Sequence, residues 1–290
     1  MIFAPAKINL TLGVLGRRPD GFHEVDTTLL ALDFGDRVSV ATHGRSRVRL
    51  SGPAATDDVP TDGRNLAARA AAAVAGLAGL LAPNLLLEKV VPSRAGLGGG
   101  SSDAAAAAYL TALELSLDLD DPRIARALAE LGSDCPFFLV ARKTGIARCT
   151  GRGEVVAPLA AVPPWWFVVT TPSLEVSTPA VWQALEPGDW SGARDAVTDD
   201  LAAARAGWSN DLERAACVVE PGLLAWRALL DELGEGHQRL AGSGSSFFGA
   251  YESKAAATRA AERIASAGKA RDLGLRAQFV ARARGAGVGR

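Results

Sequence analysis

Pro92-Ser93-Arg94-Ala95-Gly96-Leu97-Gly98-Gly99-Gly100-Ser101-Ser102-Asp103 is the stretch whose reading decides the fold. Glycines at 96, 98, 99 and 100 let the backbone reach positive φ and approach a ligand with no Cβ in the way. Upstream, Leu85 to Val91 reads as a buried strand that stops at Pro92. Downstream, the Ala- and Leu-rich run from Ala104 to Leu117 has no Gly or Pro and predicts a helix, with Ser101, Ser102 and Asp103 as N-cap residues. Strand, glycine loop and helix N-terminus together make an anion site, because free N–H groups and the positive end of the helix dipole face one point. The favoured anion is a phosphate. A Walker A loop would need Gly-Lys-Ser/Thr, and here Ser101-Ser102 follows Gly100. A Rossmann turn would need an acid at the end of the next strand, and Asp118, Asp120 and Asp121 sit in a turn-like Leu-Asp-Leu-Asp-Asp-Pro run. A flexible loop that merely caps a helix is the competing reading, and four glycines within five positions match it poorly.

Composition narrows the classes. A chain of 290 residues, 48% hydrophobic and 22% charged, is an ordinary globular composition and long enough for two domains. The net charge of −1 provides no basic field, so nucleic acid is not an expected partner. Cys135, Cys149 and Cys217 lie far apart without a CxxC pair, which fits a reducing cytoplasm better than a zinc site or disulfide framework. Met1 to Gly13 lacks the basic start and long apolar core of a signal peptide, and Ala70 to Ala82 is too short to span a bilayer. The expectation is a cytoplasmic protein with no membrane partner, a monomer or weak homodimer.

Three further stretches carry chemistry. Ala4 to Leu15 alternates like a strand, with Lys7 and Asn9 on one face, where they meet a phosphate and a hydroxyl or form a solvated edge. Arg17 to Glu24 is a turn punctuated by Pro19 and Asp20-Gly21, after which Phe22-His23 offers either packing or a ring and an imidazole for a nucleobase. Leu29 to Leu32, Arg37 to Ala41 and Ser46 to Leu50 read as strands, so the chain begins as antiparallel β, and Asn65 opens a helix toward Leu81. Pro122 starts a helix at its first position, which ends at Gly132. Ser133-Asp134-Cys135-Pro136 then places an acid at an element junction before Phe137 to Val140, read as an apolar strand. A composition shift at Val162-Pro-Pro-Trp-Trp marks the second half: a strand, helices, then Leu240-Ala-Gly-Ser-Gly-Ser-Ser246 running into a strand, a helix from Lys254 and a last strand from Leu275. The tail from Arg284 reads as frayed.

Taken together, Ala4 to Asn9, Pro92 to Asp103, Gly132 to Phe137 and Leu240 to Ser246 resemble the signature segments of the GHMP kinases (galactokinase, homoserine kinase, mevalonate kinase and phosphomevalonate kinase). Within that family, Pro-Ala-Lys-Ile-Asn together with Arg18-Pro-Asp-Gly-Phe-His23 is similar to members that phosphorylate a cytidine diphosphate-linked methylerythritol. The resemblance implies an α+β, two-domain GHMP-kinase fold. Residues 1–158 would be a ribosomal-protein-S5-like ATP-binding domain and 159–290 a ferredoxin-like substrate domain, with the active site in the cleft between them.

It also implies roles. Pro92, Ser93, Arg94, Ala95, Gly96, Leu97, Gly98, Gly99, Gly100, Ser101 and Ser102 would wrap the phosphates of ATP, and Asn65 would contact adenine. Lys7 and Asp134 would be the catalytic pair, with Asn9 beside the acceptor hydroxyl. Phe22, His23 and Trp182 would hold cytosine; Phe22 stands where relatives are expected to carry Tyr, and Trp182 where they carry Tyr or Phe. Mg2+ would accompany ATP, held either by Ser102 as a candidate ligand or as a hydrated ion on the substrate. Phosphoryl transfer suits these residue types: Asp134 can take the proton of the attacking hydroxyl while Lys7 keeps it ionised. Kinases of homoserine or mevalonate share the family, but a base-stacking turn serves neither substrate. A non-catalytic nucleotide-binding protein has no use for both Lys7 and Asp134.

Overall fold

In the computed structural model, residues 1–43, 48–160, 163–193, 200–235 and 237–285 are described. The chain opens with β1 (Ile2–Arg17) and β2 (His23–His43), a long antiparallel pair. Sequence patterning split β2 into two strands. They run on as one because Gly35 lets the pair touch: a Cβ there would lie 2.3 Å from the Ala4 carbonyl oxygen. β1 is buried on both faces from Ala4 to Val14, so Lys7 and Asn9 do not form a solvated edge. Register shifts between Pro5 and Lys7 and between Asn9 and Thr11 bracket those two residues, and such bulges re-aim side chains.

Next come β3 (Val48–Ser51), α1 (Leu66–Leu77), β4 (Pro83–Glu88), α2 (Gly99–Glu114), α3 (Pro122–Leu131), α4 (Cys135–Thr144), β5 (Ile146–Gly151) and β6 (Val155–Pro158). The second half contributes β7 (Trp166–Pro172), α5 (Thr178–Ala184), α6 (Leu201–Gly207), β8 (Ser209–Asn210), α7 (Leu212–Val219) and α8 (Gly222–Glu232). It closes with β9 (Arg239–Leu240), β10 (Phe247–Tyr251), α9 (Lys254–Ala270) and β11 (Leu275–Arg282). The first sheet runs β3-β4-β2-β1-β8, with β5 and β6 continuing from β2; the second runs β11-β7-β10-β9. β8 comes from the second half yet pairs parallel with β1 of the first.

Strand alternation sorts the core into layers. Ala6, Ile8, Leu10, Leu30 and Leu32 face the second sheet and pack with Phe167, Val169, Trp208 and Phe248. Leu29 and Ala31 face the other way, onto a helical layer of Val74, Ala104, Ala105, Ala108, Phe137 and Phe138. Lys7 and Asn9 share that second direction, toward α2 and α4. On its far face the second sheet carries α7, α8 and α9, around Trp226, Phe247 and Ile264.

Two readings are corrected here. Phe137 to Val140 is helix, not strand: Pro136 sits in the first turn of α4, Arg142 and Lys143 in the last, and Gly145 caps it at φ 76°. Those are helix boundary signals, and they outweigh a short apolar run. α2 begins at Gly99 instead of Ala104, capped by Gly98 in the left-handed region, so Ser101, Ser102 and Asp103 lie within its opening turns. Glycine is a poor helix former, but packing decides: a Cβ on Gly99 would sit 3.1 Å from a Val91 methyl. Ser46 and Arg47 of the expected third strand, the shift at Val162 and the tail from 286 lie outside the described residues.

Candidate active site

A single cleft of about 1130 Å³ gathers the phosphate loop, the Lys7–Asp134 pair and the aromatic turn. Every site residue named from sequence lines it except Ser102. That hydroxyl is buried without a partner, off the cleft wall, while Ser101 borders the cleft with its side chain hydrogen-bonded to Cys135.

The loop is shaped by its neighbours. Gly96, at φ 75°, presses on the Leu240–Ser246 loop so closely that a Cβ would fall 1.9 Å from the Ala241 carbonyl oxygen. The Lys7 amide donates to the Leu97 carbonyl at 2.9 Å and the Ser246 amide to that of Ala95 at 3.3 Å. The first intrahelical bond into the loop is Ser102 N–H to the Gly98 carbonyl, 2.9 Å. The amides of Gly99, Gly100 and Ser101 therefore precede any intrahelical acceptor, and all three residues border the cleft.

At the centre, Lys7 Nζ donates to Asn9 Oδ1 at 2.8 Å and lies 3.3 Å from Asp134 Oδ2. Asn9 Nδ2 donates to Thr27 Oγ1 at 2.9 Å, and that hydroxyl donates to the Thr11 carbonyl at 2.6 Å, which fixes the Asn9 amide orientation. Asp134 occupies the N-cap position of α4 without capping it, so its carboxylate, one-third exposed, is left to Lys7 and the cleft. Gly242 makes room for the pair, since a Cβ at φ 55° would meet Lys7 Nζ at 3.3 Å.

Asn65 reaches the cleft as the N-cap of α1, and both ends of its amide are engaged: Oδ1 accepts from Ala67 N–H and Nδ2 donates to the Pro60 carbonyl. His23 and Trp182 stack on each other, centroids 5.0 Å apart and planes 23° from parallel. A base between them would need roughly 7 Å, two van der Waals spacings. Phe22 is half exposed, and the Arg152 guanidinium lies 4.7 Å from its ring centre. Burial, and then Arg17, push the His23 imidazole below its ordinary 6.5, so at neutral pH it is neutral and offers one donor and one acceptor.

Sequence reading missed a buried cluster under the loop. Lys89 Nζ donates to Asp36 Oδ2 and, at 2.5 Å, to Asp103 Oδ2, and Asp36 Oδ1 also accepts from the Val91 amide. Burial raises the Asp103 carboxyl to about 7, with Lys89 opposing and Asp36 adding to the rise. Arg152 was missed too. Its signal was the flanking pair Gly151 and Gly153, both at positive φ, which turn it toward Phe22. Among the described residues, no group of three or more His, Cys, Asp or Glu is gathered to hold a metal, and no helix is long and apolar enough to cross a membrane.

Two sheets, a helix-capping glycine loop and a Lys–Asp pair in the cleft define a GHMP kinase, and the description "GHMP kinases N terminal domain" matches residues 65–142. A homoserine kinase from Cytophaga hutchinsonii shares the fold, with a TM-score of 0.68 at 18% identity, covering 99% of this chain and 95% of that one. Likeness is much higher to 4-diphosphocytidyl-2-C-methyl-D-erythritol kinases. The Cereibacter sphaeroides protein is 39% identical over 90% of this chain and 93% of its own length, and that of Paracoccus denitrificans 40% over 90% of each. A crystal structure of 4-(cytidine 5'-diphospho)-2C-methyl-D-erythritol kinase superposes with a TM-score of 0.77 at 36% identity, covering 98% of this chain and 99% of that one. The chain belongs to this kinase family, and it is an ATP-dependent enzyme with the two-domain GHMP fold.

Proposed function

We propose that the chain transfers the γ-phosphoryl group of ATP to the 2-hydroxyl of 4-diphosphocytidyl-2-C-methyl-D-erythritol, a step toward isoprenoid precursors by the non-mevalonate route. The observation that carries this reading is the Lys7–Asp134 pair, 3.3 Å apart, set between a glycine loop and an aromatic turn on one cleft. Residues 1–158 supply the nucleotide side, and 159–290 supply Trp182 and the Gly242–Ser243 wall.

The backbone from Pro92 to Ser101 wraps the triphosphate, with the amides of Gly99, Gly100 and Ser101 pointed at it. Asn65 borders adenine, its amide oriented by the Ala67 N–H and the Pro60 carbonyl with one donor and one lone pair left over. Asp134 accepts the proton of the acceptor hydroxyl, Lys7 stabilises the carboxylate and the developing alkoxide, and Asn9 orients both. Cytosine stacks on the face of Phe22 opposite Arg152, with neutral His23 reading its edge and Trp182 backing the imidazole. Mg2+, when bound, neutralises phosphate charge. Hard oxygen donors suit it, and Ser101 with the phosphate oxygens would hold it, since Ser102 is off the wall. The protein acts in the cytoplasm, as a monomer or weak homodimer.

The test is ATP consumption with the cytidine-linked acceptor, homoserine or mevalonate offered separately. Turnover with the first alone is expected; turnover only with another alcohol, or with none, would overturn the reading.

A further inference from the structure

Arg94 is the one charged residue from Pro92 to Ser102, and it stands where a side chain is costly. Its φ is 51°, in the left-handed region that favours glycine. The chain on either side enforces that conformation. Ser93 Oγ donates to Asp58 Oδ2 at 2.5 Å, while Arg276, from β11 of the second sheet, donates to the Ser93 carbonyl at 2.9 Å and to its hydroxyl at 3.0 Å. Beyond Arg94, Ala95 is held by the Ser246 amide and Gly96 is wedged against Ala241.

Arg94 borders the cleft, and its side chain is 62% exposed. Its ion pair is a long one, 3.9 Å to Glu175, itself 82% exposed on the segment between β7 and α5. A pair this open is broken at little cost. Lys7, with Asn9 and Asp134, and Lys89, with Asp36 and Asp103, also border the cleft and are engaged more tightly.

We propose that Arg94 is a phosphate-reading residue: its guanidinium, parked against Glu175, transfers to the triphosphate when ATP binds. This deepens the proposed function and rests on ATP binding at the loop. A planar fork of donors matches phosphate oxygens better than one exposed carboxylate at long range. The Ser93 clamp keeps the loop from relaxing the strained backbone by turning the side chain outward.

The experiment measures binding of ATP and of adenosine by calorimetry to the wild type, Arg94→Gly, Arg94→Gln and Arg94→Lys, at low and high salt. Arg94→Gln keeps a Cβ at the strained position without the charge; Arg94→Gly relieves the strain. Both should weaken ATP by about tenfold at low salt, the scale of a lost charge-assisted hydrogen bond, and leave adenosine unchanged. Arg94→Lys should recover part of the loss, and Arg94→Gly should melt no lower than the wild type. ATP affinity unchanged in both neutral variants, or equal weakening of ATP and adenosine, would overturn the inference alone. A wild type that binds no ATP would remove the proposed function as well.

Discussion

At the phosphate loop the groups offered to a ligand are backbone amides fixed by their own chain. At the Phe22–His23–Trp182 corner they are side chains held by one another. The loop is pinned at Ser93, Ala95, Gly96 and Leu97 by neighbours from both sheets, so its shape precedes any ligand. The aromatic corner is looser: Phe22 is half exposed, and the 5.0 Å His23–Trp182 stack closes a gap that a base cannot enter without moving a ring. A preorganised backbone site tolerates almost no change in shape, whereas a side-chain site should lose affinity in portions.

The sharpest way to break that contrast is Gly98→Val. Gly98 sits at φ 69°, and its Cβ would fall 2.8 Å from Lys7 Cγ, so ATP binding and turnover should both vanish. Calorimetry alongside thermal unfolding checks this, and a folded Gly98→Val protein with normal ATP affinity would move the nucleotide elsewhere. At the aromatic corner, Phe22→Ala should weaken the cytidine-linked acceptor by about 1–3 kcal/mol, the worth of one stacked base. Phe22→Tyr should be tolerated, and ATP affinity should not change in either. Equal losses for both substrates would show that Phe22 supports the fold and does not stack on the base.

The smallest effect sharpens the picture beneath the loop. Asp103 stays neutral up to about pH 7 when folded, against an ordinary 3.8, so between those values the folded protein holds a proton that the unfolded chain has released. It therefore contributes stability that is present below pH 4 and lost as pH rises through 7. Asp103→Asn cannot titrate, so its melting temperature relative to wild type should climb from pH 4 to pH 8. A constant difference across that range would show that the cluster does not couple to pH.

The same contrast explains what was legible in the sequence. Backbone-built features announce themselves through glycine, so the phosphate loop, the Gly132 helix stop and the Gly242 turn could be read directly. The start of α2 could not, because Gly99 is helical only through its contact with Val91, which lies eight positions upstream. Local propensity likewise misjudged Phe137 to Val140, where the cap signals at Pro136 and Gly145 were present but a four-residue apolar run looked like strand. The Asp36–Lys89–Asp103 cluster joins residues up to 67 positions apart in sequence, with no local pattern to mark it. Lys7, Asn9 and Asp134 stand in motifs that the sequence displays, but the 3.3 Å approach of Lys7 to Asp134 joins residues 127 positions apart and has no local pattern.

The central claim is that Asp134 takes the acceptor proton, with Lys7 as its electrostatic partner. Asp134→Asn keeps the size of the side chain but cannot accept that proton, and since Asp134 makes no cap bond to α4, the change should leave the fold intact. Single-turnover phosphorylation by folded Asp134→Asn saturated with both substrates is the direct test. The rate should fall by about 10²- to 10⁴-fold, the usual worth of a positioned acid–base group, with both substrates still bound. Phosphoryl transfer at near the wild-type rate would contradict the assignment.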